Sequence, residues 1–252
     1  MVSPLGLGTV KLGRREGVKY PEPFEIPDDA AASALLDTAR SLGVNLLDTA
    51  PAYGASEERL GRLLGARRDE WVLCTKAGEE FEDGVSRFDF SPQAVAASLD
   101  RSLRRLRTDR VDIALLHSDG RDEEIIERSG ALEALEHCRD AGKVRAIGVS
   151  TKTPAGAALA AERCDVVMLT LNPQARDDEP ALAVAARTGA GVLVKKALSS
   201  GHLNAAGGAD PVEASMRYVL SMPAVSSVIV GTINPAHLRA NAAAAERALT
   251  CR

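Results

Sequence analysis

Eight short apolar runs, each followed by a longer stretch with helical spacing, constrain this chain more than any other feature. The runs are Pro4–Thr9, Val44–Asp48, Trp71–Lys76, Val111–His117, Val144–Val149, Val166–Leu171, Gly191–Leu198 and Ser227–Val230. Between them, Ser91-Pro92, Thr153-Pro154, Asp210-Pro211 and Asn234-Pro235 each set a capping side chain before a proline at a helix start. Gln93–Leu106 carries the helical period, with Val95, Leu99, Leu103 and Leu106 on one stripe. Strict alternation with strands apolar on both faces predicts an α/β fold, a closed parallel (β/α)8 TIM barrel with its active site at the C-terminal strand ends. An open doubly wound sheet would bring a GxGxxG turn after a strand, but Leu5-Gly6-Leu7-Gly8-Thr9-Val10 stops after two glycines. A barrel of this kind accounts for residues 1–252 as one domain. Val10–Pro27 and Ala77–Phe90 read as long loops leaving the first and third strands on the active-site face.

Composition narrows the function. Apolar residues at 45% and charged residues at 26% predict a folded globular protein. A net charge of −4 gives no charge-driven affinity for nucleic acid or anionic membrane. No apolar run has the length of a membrane span, and no signal peptide is visible. Cys74, Cys138, Cys164 and Cys251 are scattered, which suits reduced thiols in a cytoplasmic protein, a monomer or weak homo-oligomer.

Four polar residues close three of the early runs or sit just beyond them. Asp48 ends the second, Lys76 the third and His117 the fourth, with Tyr53 five residues beyond Asp48. In a barrel these converge on one mouth. A phenol is a weak acid at neutral pH, an ammonium beside it favours phenolate, and a carboxylate holds that ammonium charged. A neighbouring imidazole can orient a carbonyl oxygen or pass a proton. Such a set polarises a carbonyl, and a nicotinamide cofactor would have to bring the reductant.

With these residues in view, the chain resembles the aldo-keto reductase family over nearly its whole length. The resemblance rests on Leu5-Gly6-Leu7-Gly8-Thr9, Asp48-Thr49-Ala50-Pro51-Ala52-Tyr53-Gly54 with Ser56-Glu57 and Leu60-Gly61, Thr75-Lys76, Leu116-His117, and the segment from Gly142 to Ser150. It implies an NAD(P)(H)-dependent oxidoreductase interconverting a small aldehyde, ketone or sugar carbonyl and its alcohol. Tyr53 would donate the proton in reduction and accept it in oxidation. Lys76, paired with Asp48, would lower the Tyr53 pKa, and His117 would orient the carbonyl. The cofactor, NADP(H) with NAD(H) as the alternative, would lie across the mouth. Gly8, Thr9 and Asp48 are expected to line it, with Ser150 and Thr151 at the carboxamide and Lys195 at the nicotinamide ring. Ala197, Leu198 and Ser200 would follow the pyrophosphate, and Gly231, Thr232, His237 and Asn241 the adenosine end.

Departures from the family pattern centre on the nicotinamide. Thr151 stands where the resemblance expects Asn, Met168 where it expects Gln, and Lys195 where it expects an aromatic ring. His237 takes the place of the basic residue that grips a 2′-phosphate. A chain ending soon after its last helix implies an open, shallow pocket, with Tyr20, Phe24, Phe81, Phe88 and Phe90 as candidate walls. The altered positions also admit a catalytically impaired, nucleotide-binding regulatory protein on the same fold. Adjacent Lys195 and Lys196 admit a Schiff-base lyase, which leaves the other motifs unexplained.

Overall fold

Side chains alternate along each strand, so every second residue of the apolar runs faces the barrel axis and the others face the helices. The computed structural model describes residues 1–202 and 210–250. Its strands are β1 (Leu5–Gly8), β2 (Leu46–Asp48), β3 (Val72–Ala77), β4 (Glu79–Glu82), β5 (Val85–Phe88), β6 (Val111–His117), β7 (Val144–Ser150), β8 (Val166–Thr170), β9 (Gly191–Lys195) and β10 (Val225–Val230). All but β4 and β5 close into a parallel barrel in the order β1-β10-β9-β8-β7-β6-β3-β2. The helices are α1 (Asp29–Ser41), α2 (Ser56–Leu64), α3 (Pro92–Leu106), α4 (Asp122–Glu127), α5 (Ala131–Asp140), α6 (Pro154–Arg163), α7 (Glu179–Thr188), α8 (Pro211–Leu220) and α9 (Pro235–Thr250). The expected (β/α)8 barrel is therefore the fold.

Inside the barrel, Leu46, Cys74, Ile113, Leu115, Val166, Met168 and Leu193 pack into one cluster. A larger core lies between the strands and the helices, including the α3 stripe of Val95, Leu99, Leu103 and Leu106. Each such leucine contributes about 1.5–3 kcal/mol by leaving water. The inner cluster forms a solid floor, and the polar strand ends rest on it.

The proline-marked helix starts behave as their chemistry dictates. Ser91, Thr153 and Asp210 accept from backbone N–H groups of the first turn of α3, α6 and α8, and Asn234 Oδ1 accepts from Ala236 N at 2.8 Å. Several strand bounds shift by one or two residues from the sequence reading, and two details differ more. Strand β9 ends at Lys195, because Lys196 adopts a left-handed φ of 56° and turns the chain out of the sheet. The segment Ala77–Phe90 is no plain loop: β4 and β5 pair antiparallel within it. Asp83 and Gly84 turn that hairpin with φ values of 52° and 79°, the backbone that an Asp-Gly turn favours.

Candidate active site

Lys76 organises the barrel mouth. Strand β3 carries it inward, and its side chain is 1% exposed. Its Nζ donates to Asp48 Oδ1 at 2.6 Å, to Thr49 O at 2.9 Å and to Tyr53 Oη at 3.2 Å. An ammonium has three hydrogens, and all three are used. Tyr53 thus accepts from Lys76, and its own hydrogen, with no acceptor among the described residues, is free to reach the cavity. Burial opposes charge on Lys76, but Asp48 and Tyr53 outweigh it and hold the amine protonated.

For Tyr53 the balance runs the other way. Burial raises its pKa above that of an ordinary phenol; Lys76 pulls it down and Asp48 pushes it up. Lys76 lowers the Tyr53 pKa as its pairing implies, but burial, joined by the charge of Asp48, outweighs it and the net direction is upward.

His117 ends β6, its ring set edge-on to Tyr53 at 6.3 Å between centroids. Its Nδ1 lies 2.6 Å from Glu79 Oε2 on the hairpin. Burial would raise the Glu79 pKa, yet contact with His117 and Ser86 brings it down to about 2. A carboxylate this close favours the tautomer with its proton on Nδ1, which leaves Nε2 as the free polar atom of the ring. Burial depresses His117 itself, against the pull of Glu79. Sequence reasoning missed Glu79; the Asp83-Gly84 dipeptide between two short runs was the available signal.

A cavity of about 980 Å³ runs from this cluster across the mouth. Of the residues expected at the site, Gly8, Asp48, Tyr53, Lys76, His117, Ser150, Thr151, Lys195, Leu198, Ser200, Gly231, Thr232, His237 and Asn241 line it together. Thr9 and Ala197 stand behind the wall. Thr9 Oγ1 donates to Asp48 O at 2.9 Å and receives Ser56 Oγ at 2.8 Å, so it props the β2 end. The Ala197 carbonyl accepts from Ser215 Oγ.

The Aldo/keto reductase family model matches residues 4–207. The chain belongs to the aldo-keto reductase family. The structure of an aldo-keto reductase relative from Pseudomonas aeruginosa superposes with a TM-score of 0.89 at 48% identity, covering 98% of this chain and 91% of that one. The Bacillus subtilis oxidoreductase YqkF is 29% identical over 97% of this chain and 87% of its own length. D-threo-aldose 1-dehydrogenase of a Pseudomonas species is 29% identical over 80% of this chain and 68% of its own.

In this aldo-keto reductase Lys195 ties the ends of β7 and β9 together at the mouth. Lys195 Nζ donates to Ser150 Oγ at 2.9 Å and to Thr151 O at 2.6 Å. Burial, then the charges of Lys196 and Lys76, push its pKa down to about 7. Accepting from Lys195 leaves the Ser150 hydroxyl its own hydrogen, while Thr151 Oγ1 donates to Met168 O at 3.4 Å. One donor for a carboxamide therefore remains in the pair.

The segment after β1 contributes Lys11, Lys19, Tyr20, Pro21 and Glu22 to the cavity lining. Tyr20, half-buried, lies against Gly231, where a Cβ would come 2.5 Å from the phenol oxygen. Burial raises the Tyr20 pKa to about 12. Lys11 Nζ sits 3.9 Å from the Tyr20 ring centre and 4.9 Å from that of Phe24. Of the aromatic wall candidates, only Tyr20 lines the cavity; Phe90 packs against Gly78, and Phe81 lies under Arg14. Among the described residues, no helix is long and apolar enough to cross a membrane and no cluster could hold a metal. Cys251 lies outside the described residues.

Proposed function

We propose that this protein is an NAD(P)H-dependent reductase of small aldehydes, ketones or sugar carbonyls, with Tyr53 as proton donor. The arrangement of Lys76 carries the reading: its three hydrogens are committed to Asp48, Thr49 and Tyr53, which leaves the phenol hydrogen free for a substrate oxygen. As a carbonyl is reduced, its oxygen gains negative charge and draws the Tyr53 proton. The phenolate that forms is stabilised by the ammonium 3.2 Å away. In oxidation the same phenolate removes the proton from the alcohol. His117, fixed through Nδ1 by Glu79, presents Nε2 to the substrate oxygen or a neighbouring hydroxyl.

A nicotinamide, when bound, supplies the hydride that no side chain can. The residues present fit such a cofactor: the cavity holds about 980 Å³, the Ser150 hydrogen is free for a carboxamide, and six lysines line the mouth. The Lys195 stem would cover one face of the ring. Leu198, Ser200 and Lys196 would follow the pyrophosphate, and Thr232, His237 and Asn241 the adenosine end, where the start of α9 favours negative charge. NADPH is the preferred form and NADH the alternative.

The test is titration with NADPH and NADH by nicotinamide fluorescence and calorimetry, followed by a carbonyl panel with Tyr53→Phe as control. Binding and turnover, with turnover lost by about 10²–10⁴-fold in Tyr53→Phe, are expected. Binding without turnover would favour the regulatory reading, which the engagement of Ser150 by Lys195 supports. Binding of neither nucleotide would overturn both.

A further inference from the structure

Lysine is distributed unevenly in this molecule. The chain has seven lysines against twenty-four arginines. Six of those lysines, Lys11, Lys19, Lys76, Lys152, Lys195 and Lys196, line the single cavity at the barrel mouth, and no arginine among the described residues does. Arginines elsewhere pair repeatedly with carboxylates, as in Arg68–Asp112 and Arg67–Asp37. Within the cavity only Lys76 has a carboxylate partner among the described residues. The other acid lining it is Glu22. A chain with net charge −4 has gathered unneutralised positive charge in one place.

Most of these amines have an assignment. Lys11 lies over the rings of Tyr20 and Phe24, and Lys195 is held by Ser150 and Thr151. Lys19 adjoins Tyr20 at Gly231, and Lys196 follows β9, so both stand where the cofactor phosphates are proposed to run. Lys152 is left over. Its backbone is fixed, since Lys152 N donates to Asp122 Oδ2 at 2.9 Å, while its side chain is exposed. Nζ lies 5.4 Å from the centre of the Phe88 ring, on the hairpin whose Glu79 braces His117. Lys152 follows β7, whose last residue, Ser150, is in register with His117 at the end of β6, so it stands on the His117 flank of the mouth. Its neighbour Asp119 is already bound by Arg121 at 2.7 Å.

We propose that the carbonyl substrate carries an anionic group, phosphate or carboxylate, received by Lys152. The inference rests on the reductase reading and adds the class of substrate to it. An ammonium on a flexible stem binds such a group as a point charge.

The experiment compares kcat/KM for glyceraldehyde 3-phosphate and succinic semialdehyde with that for neutral glyceraldehyde, using NADPH. At low ionic strength at least one anion is expected to be favoured by about tenfold or more, the worth of one charge-assisted contact. Which anion leads identifies phosphate or carboxylate. The preference should shrink at about 0.5 M salt, where screening shortens the reach of charge. Lys152→Met should carry the anion-to-neutral ratio towards one through KM, and Lys152→Arg should restore most of it. Equal use of neutral and anionic substrates by the parent protein would overturn the proposal. So would an equal loss for both in Lys152→Met, or a loss explained by weaker NADPH binding. If no carbonyl is turned over, the reductase reading fails separately. Calorimetric titration of glycerol 3-phosphate, against glycerol, into the NADPH-treated protein then decides: binding lost in Lys152→Met supports the anion site, and no binding overturns it.

Discussion

At the scale of single residues, burial governs the chemistry of this site more than pairing does. Tyr53 shares its ammonium with Asp48 and stays a weaker acid than a free phenol. A proton donor held this way remains protonated across the neutral range, so kcat/KM for reduction is expected to show no alkaline loss below about pH 10. Oxidation needs the phenolate and should climb steadily with pH over the same range. Steady-state profiles in both directions check this, and an alkaline loss of reduction near neutrality would contradict it. The direction of the Tyr53 shift was not legible in the sequence. Asp48, Lys76 and His117 stand out there as polar ends of apolar runs, but burial is set by the whole barrel and appears in no single segment. The Lys195–Ser150 contact was hidden for a similar reason, since it joins residues 45 positions apart.

Two elements around the mouth act as supports, and each can be probed. The β4–β5 hairpin brings Glu79 to within 2.6 Å of His117 Nδ1, and Glu79 raises the imidazole pKa against burial. Glu79→Ala should therefore lower the His117 pKa further and cut kcat/KM by about tenfold through loss of orientation. Nuclear magnetic resonance titration of the ring reads the first effect and steady-state kinetics the second. The segment after β1 is the second support. A methyl group at position 231 would meet the Tyr20 oxygen at 2.5 Å, the far end of a side chain that can move. Gly231→Ala is expected to displace the segment, with a stability change within about 1 kcal/mol, and to speed NADPH release. Adding Tyr20→Phe, which removes the oxygen, should restore slow release, as stopped-flow fluorescence would record. At this scale the sequence was most informative where signals are local. The capped, proline-marked helices and the α3 stripe were all readable, while the hairpin was obscured because its strands expose charged residues among few apolar ones.

At the scale of the whole molecule, a buried amine with a depressed pKa makes stability depend on pH. Lys195 titrates at about 7 in the folded chain and near ~10.4 when unfolded. Between these values the unfolded chain binds more protons, so this residue's contribution to stability rises with pH across that window. Below it the folded state carries the full cost of charging Lys195. Lys195→Met should therefore be more stable than the parent at pH 6, by of order 1 kcal/mol or more, with the gain fading towards pH 10. Urea unfolding at several pH values tests the sign, and a gain that grows with pH would refute it.

The concentration of lysine at the mouth also dictates how the protein responds to reagents. Amine-directed compounds ordinarily scatter over a protein surface. Here, apart from the amino terminus and Lys143, which pairs with Asp100 at 2.7 Å, every primary amine lines the cavity at the barrel mouth. Beyond the amino terminus, acylation, glycation or coupling to an activated resin would in this protein be directed at the barrel mouth, and the proposed nucleotide, once bound, would be its shield.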